Sequence, residues 1–203
     1  MSNQMPSAVV ELKHGKDDKK PTLDFDEYGV CHACRYREAK ADIDWREREE
    51  QLKELLAKHK RNDGSYDVIV PSSWGKDSSY VAHHLKYKYG MNPLTVTWAP
   101  HIYTDIGWKN FQNLIHRGFD NILCSPNGKV HRTLSQLAFK NLFFLFQPLV
   151  FGQKNVATRI SLEKKIPLVF YGESPSEYNS NIKGSESPLM PNEHYSRDRE
   201  QLN

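Results

Sequence analysis

The chain has 203 residues, 38% of them hydrophobic and 26% charged, with a formal charge of +3. That is enough for one full core, and it gives no single-sign charge block that would demand nucleic acid. No run approaches the roughly eighteen apolar residues of a membrane helix, and the N-terminus has no signal-peptide pattern. Three cysteines make no secreted disulfide framework, so the cytoplasm is the expected compartment, with neither membrane nor nucleic acid as a partner.

Residues 1–20 are polar, and their lysines are interrupted by Asp17 and Asp18. A compact stretch follows, PTLDFDEYGVCHACRYRE, with a turn at Tyr28-Gly29 leading into Cys31-His32-Ala33-Cys34. From Asp44 the pattern is helical: Trp45, Leu52, Leu55 and Leu56 share a face, with Glu49/Lys53 and Glu54/Lys58 as outer i,i+4 pairs. Asn62-Asp63-Gly64 ends it, and a division follows: 1–62 as tail, CxxC segment and amphipathic helix, 63–203 as an α/β domain.

Strands and helices then alternate. The pattern predicts strands at 66–70, 94–98, 121–125 and 167–171. It predicts helices over 78–89 and 105–117, and a long helical region broken near Gln147-Pro148. This alternation implies a parallel sheet with helices on both faces, and ligands beyond the carboxyl ends of its strands.

The first of those ends is the most informative. A buried strand runs into PSSWGKDS (Pro71–Ser78) and directly into a helix. Such a turn aims backbone N–H groups and the helix dipole at one point, which suits phosphate. Ser73 and Ser78 supply hydroxyls, Gly75 permits close approach, Lys76 neutralises charge, and Asp77 is either a metal contact or a helix cap. It is not a Walker loop, because Asp77 follows Gly75-Lys76, and one glycine is too few for a dinucleotide fingerprint.

Ser-X-Gly-Lys-Asp-Ser resembles the SGGxDS signature of PP-loop ATP pyrophosphatases, with Trp74 where the signature has its first glycine. If that position needs φ > 0, Trp74 is strained there. The strings KYGMNPLTVTWAPHIYT, GFDNILCSPNGKVHR, FQPLVFGQK, IPLVFYGE and EYNSNIK, with FDEYGVCHACRY and IDW upstream, look like the N-acetyl sugar amidotransferase family. The likeness runs from about Pro21 to Asn192.

The resemblance implies a Rossmann-like PP-loop domain that uses ATP and Mg2+. The oxygen of an acetamido group on a nucleotide-linked sugar or nonulosonic acid would attack the α-phosphate, releasing pyrophosphate. Ammonia would then displace AMP to leave an acetamidino group, in bacterial surface polysaccharide or flagellin glycan synthesis. No cysteine sits in a glycine-flanked nucleophile turn, and the resemblance implies a separate glutaminase subunit that supplies the ammonia. Lys76, Asp77 and Glu173 are the candidate catalytic residues. Gly152 and Gln153 join Ser73, Gly75, Lys76, Asp77 and Ser78 as candidate nucleotide contacts, and His101 and His131-Arg132 lie at strand ends.

Cys31 and Cys34 have the spacing of half a zinc site, with His14 and His32 as further donors. A redox role is disfavoured because the CxxC does not open a helix after a strand as a thioredoxin-like motif does. Cys124, within an apolar strand, reads as a core residue. The family continues past the point where this sequence stops, implying an incomplete sugar pocket. Two other readings stand beside the amidotransferase: a tRNA-thiolating PP-loop enzyme, and a nucleotide-binding module without turnover.

Overall fold

The computed structural model describes residues 25–173. The chain divides into two compact units, and the division falls between Trp45 and Arg46 rather than at residue 62. Of the first unit, residues 25–45 are described. Asp26 organises it: its carboxylate accepts the N–H groups of Tyr28 (3.0 Å) and Val30 (2.8 Å) and meets Arg35 at 3.3 Å. Gly29 takes φ +75° to close that turn, and Phe25 and Cys31 form an antiparallel bridge across it. Helix α1 (His32–Ala39) starts immediately afterwards.

The second unit is an α/β arrangement. In chain order it holds the rest of α2 (Trp45–His59), β1 (Val68–Pro71), α3 (Lys76–His83), a π-helical turn (His84–Lys88) and β2 (Pro93–Trp98). Then come α4 (Asp105–His116), β3 (Asp120–Cys124), α5 (Gly128–Leu142) and α6 (Gln147–Lys164). The strands form a parallel sheet in the order β1-β2-β3, with Val68 opposite Pro93 and Leu94 opposite Asp120. Strand alternation sends Val68 and Val70 into one apolar cluster with Ala82, Leu85, Leu114 and Phe119. Ile69, Leu94 and Val96 face the other cluster, with Val156, Ala157 and Ile160 of α6. Both faces are therefore covered, as parallel sheets require.

Helix α2 contributes Leu56 and, in part, Leu52 to the first cluster, which is why it belongs to this unit. Leu55 stays 40% exposed. Glu49 bonds Lys88 at 2.7 Å instead of its expected partner Lys53. The break between α5 and α6 lies where Pro148 indicates, with Phe143 left-handed at φ 52°.

The expected fourth strand is reduced to one parallel bridge, Ile69 with Val169. Its two hydrogen bonds run from Ile69 N–H to Leu168 (2.9 Å) and from Phe170 N–H to Ile69 (2.8 Å). The ladder cannot lengthen upward, because the next donor on β1 would be Pro71, which has no N–H. Below, Asp67 gives its N–H to Asn92, and the Ser161 hydroxyl takes the Ile166 carbonyl at 2.6 Å. Among the described residues no helix is long and apolar enough to cross a membrane.

Candidate functional site

Ser73, Gly75, Lys76, Asp77 and Ser78 lie together at the carboxyl end of β1, in the turn that leads into α3. Ser72 anchors the turn. Its N–H donates to Val96 on β2, and its hydroxyl accepts the Trp74 N–H at 3.1 Å and lies 3.1 Å from the Ser78 hydroxyl. The Ser78 hydroxyl is thus spent inside the loop, and Ser78 is buried. Ser73 and Gly75 are exposed.

Trp74 turns the backbone at φ 63°, in the left-handed region that favours glycine. The indole is 5% exposed and points into the protein, against Phe111 at 4.2 Å between ring centres. Its Nε1–H donates to Thr97 Oγ1 at 2.9 Å. Asn121 Nδ2 reaches the same hydroxyl and that of Thr95, both at 2.9 Å. A buried polar ladder on β2 and β3 therefore holds the tryptophan that shapes the loop.

Asp77 is not a helix cap. The residue preceding α3 is Gly75, and no side chain of the described residues caps the helix. The first-turn N–H groups, which point out of the helix end, carry its positive pole. Lys76 and Asp77 pair at 2.6 Å, with their side chains 86% and 35% exposed.

Gly172 joins the site from the other end of the chain. A Cβ at Gly172 would lie 2.7 Å from the Ser78 backbone nitrogen and 2.9 Å from the Asp77 carbonyl carbon. Only glycine lets this segment rest on the first turn of α3. Glu173, next in line, is exposed.

Gly152 and Gln153 are on α6. A Cβ at Gly152 would meet Trp98 Cε2 at 2.1 Å, so the missing side chain accommodates an indole at the end of β2. Gln153 is exposed. Close to Trp98 stands His131, 8% exposed, with His101 at 4.4 Å between ring centres. Trp98 Nε1, His131 Nε2 and Ser135 Oγ are buried without a hydrogen-bond partner among the described residues. Burial, and then the neighbouring His101, push the His131 pKa below the ordinary imidazole value. Cys124 is half-buried against the α6 cluster, as expected of a core residue.

A cleft of about 410 Å³ opens beside the loop, between α3 and α4. It shares Gly75 and Lys76 with the loop and adds Ser79, His83, Asn110, Asn113 and Arg117 over a floor of Leu114 and Phe119. Its size is that of a small-ligand pocket. The sequence reading missed this wall. The signal was present in the spacing: Lys76, Ser79 and His83, and likewise Asn110, Asn113 and Arg117, recur at i, i+3, i+7.

Cys31 and Cys34 sit in the first unit with their sulfurs 3.6 Å apart and not joined as a disulfide. Among the described residues no group of three or more His, Cys, Asp or Glu gathers to hold a metal ion. His14 lies outside the described residues. The pair opens a helix, with Cys31 the residue preceding α1 and extended at φ −76°, ψ 156°, but among the described residues only an isolated bridge to Phe25, and no strand, precedes it.

No family model matches this sequence, and comparison with curated proteins finds no match either.

Proposed function

We propose that the second unit is an ATP-binding domain of the PP-loop kind and that the chain serves an ATP-dependent N-acetyl sugar amidotransferase. The observation that carries the nucleotide reading is the uncapped start of α3 at the carboxyl end of a parallel strand, with Ser73 and Gly75 exposed beside it. The transfer chemistry rests on the sequence resemblance.

In this reading the first-turn N–H groups of α3, the Ser73 hydroxyl and the Lys76 ammonium hold the departing pyrophosphate. Asp77, half-exposed in that turn, has the hard oxygen donors that magnesium takes, and magnesium supplies positive charge against the phosphate oxygens. Ser72 and Ser78 keep the loop in shape. Gly172 fixes the chain against the helix start and carries Glu173, the candidate for positioning the sugar or the incoming ammonia. A glutaminase subunit delivers that ammonia.

Calorimetric titration with a non-hydrolysable ATP analogue and magnesium tests the site. The wild type binds, and Ser73→Ala and Lys76→Ala each weaken binding by about 1.5–3 kcal/mol, the value of a hydrogen bond to a charged group. Gly172→Ala weakens it too, because the new methyl displaces backbone at Asp77 and Ser78. Unchanged affinity in all three variants removes the loop from the site. AMP and pyrophosphate formed from ATP, ammonium and a nucleotide-linked N-acetyl sugar then test turnover. Binding without any AMP formation favours the module that holds nucleotide but does not react.

A further inference from the structure

The first unit carries a second pair of chemical groups that the nucleotide site does not use. Cys31 and Cys34 face each other with Sγ atoms 3.6 Å apart. Cys31 precedes the first residue of α1, and Cys34 lies one turn later, its N–H bonded to the Cys31 carbonyl at 3.0 Å. This i, i+3 placement brings the two side chains to the same face of the helix start. Cys34 is exposed and Cys31 half-buried, so reagents in solution reach the pair.

The frame around the sulfurs is braced. The Asp26 carboxylate holds the N–H groups of Tyr28 and Val30, Arg35 donates to the Val30 carbonyl at 2.9 Å, and Phe25 bridges to Cys31. The backbone that carries both cysteines is therefore positioned before any bond forms between them. A disulfide requires sulfurs at about 2.05 Å, so a gap of about 1.5 Å remains to be closed.

We propose that Cys31 and Cys34 form a redox-active dithiol that undergoes exchange with small-molecule disulfides. One thiol, as its thiolate, attacks a sulfur of the external disulfide RSSR and expels RS−, leaving a mixed disulfide on the protein. The second thiol loses its proton and attacks the protein-bound sulfur, expelling the second RS−. The products are one Cys31–Cys34 disulfide and two RSH, so two electrons and two protons pass from the protein to the external disulfide. The second step is intramolecular between groups already in van der Waals contact, which makes it fast relative to capture of another RSSR.

This assignment competes with zinc binding by the same sulfurs. Two thiolates supply half of a tetrahedral site, and among the described residues no third donor joins them. The dithiol reading needs no third group. It is also independent of the nucleotide site, so the two stand or fall separately.

The experiment uses the full chain, purified without chelator and equilibrated with mixtures of reduced and oxidised glutathione. Free thiols are then alkylated, and the protein is digested with trypsin. A single tryptic peptide ending at Arg35 contains both sulfurs. As the oxidised fraction rises, that peptide escapes alkylation and loses two hydrogens, while Cys124 remains alkylated. Cys34→Ser and Cys31→Ser instead retain one glutathione on the remaining sulfur, having no partner to expel it. The proposal is overturned if wild-type protein accumulates glutathione on either cysteine without closing the ring. It is equally overturned if both thiols stay reduced under every mixture, or if the purified chain carries one equivalent of zinc that shields them from alkylation. The wild-type measurement decides the matter even if a serine variant fails to fold.

Discussion

Trp74 and Trp98 stand at the carboxyl edge of the same sheet, on opposite faces, and their surroundings differ in one respect that separates the two halves of that edge. Trp74 gives its indole N–H to Thr97, which is itself held by Asn121, and the loop around it is closed by Ser72 and Ser78. Among the described residues Trp98 has no partner for its N–H, and His131 Nε2 and Ser135 Oγ nearby have none either. A buried polar group left unpaired costs about 1–3 kcal/mol, so three of them in one place are a considerable expense for a small domain. The Trp74 indole and the loop hydroxyls are thus paired inward and helix-end N–H groups are directed outward, although Asn121 Oδ1 in the ladder beneath is buried with no partner among the described residues. The region after β2 has hydrogen-bonding capacity that the described residues leave unused. In the proposed function it is the first region that takes phosphate.

The largest expected effect lies on the completed side. Replacing Trp74 removes a buried indole, a change that costs about 3–5 kcal/mol when the product is alanine. At φ 63° an alanine also bears a left-handed penalty of about 1–2 kcal/mol that glycine escapes. Trp74→Gly is therefore less destabilised than Trp74→Ala, by about 1 kcal/mol after the greater chain entropy of unfolded glycine is counted. Urea denaturation of the three proteins measures this. An alanine variant at least as stable as the glycine variant would mean that the loop relaxes to ordinary dihedrals once the indole is gone.

That position also marks how far the sequence could be read. The alternation of strands and helices and the tight strand-to-helix turn after β1 were legible, because each rests on local spacing. The positive φ at Trp74, observed at 63°, entered only as a condition raised by the resemblance. The direction of the indole was not legible. It depends on Thr97 and Asn121, which come from two later strands and meet Trp74 only after the sheet forms. The fourth strand failed for a similar reason: 167–171 has the right composition, but Pro71 on the strand beside it cannot extend the ladder. Gly152 was legible as a notable residue near a helix start and not as the socket for Trp98, a contact between residues far apart in the chain.

The next effect tests the unsatisfied side. Gly152→Ala places a methyl carbon 2.1 Å from the Trp98 ring, so indole or helix must shift. Overpacking of this kind costs about 1–3 kcal/mol, against a gain of up to about 1 kcal/mol in helix propensity. A net loss of about 1–2 kcal/mol is expected in wild-type background. Where Trp98 is also alanine the clash is absent, and Gly152→Ala becomes neutral or stabilising. The double-mutant cycle reads this coupling directly. Additive effects would show that Trp98 does not rest on α6 as described, and the contrast between the two tryptophans would lose one of its terms.

The smallest effect concerns His131, whose pKa is lowered from the ordinary value of 6.5 by burial first and by His101 second. In the folded protein the imidazole resists protonation, whereas in the unfolded chain it takes a proton at its ordinary value. Below pH 6.5 the unfolded state therefore binds more protons than the folded state, and stability falls as pH falls. The contribution is fully present above 6.5 and is lost progressively as the pH drops through the depressed folded value. His131→Gln cannot titrate, so its stability declines less on acidification than that of the wild type, and the two curves run parallel above that range. Urea midpoints for both proteins at about pH 8 and about pH 5 measure the difference. Equal losses in the two proteins would place His131 in contact with solvent or with a partner for its Nε2. The region after β2 would then lose one of the unpartnered groups that set it apart from the loop holding Trp74.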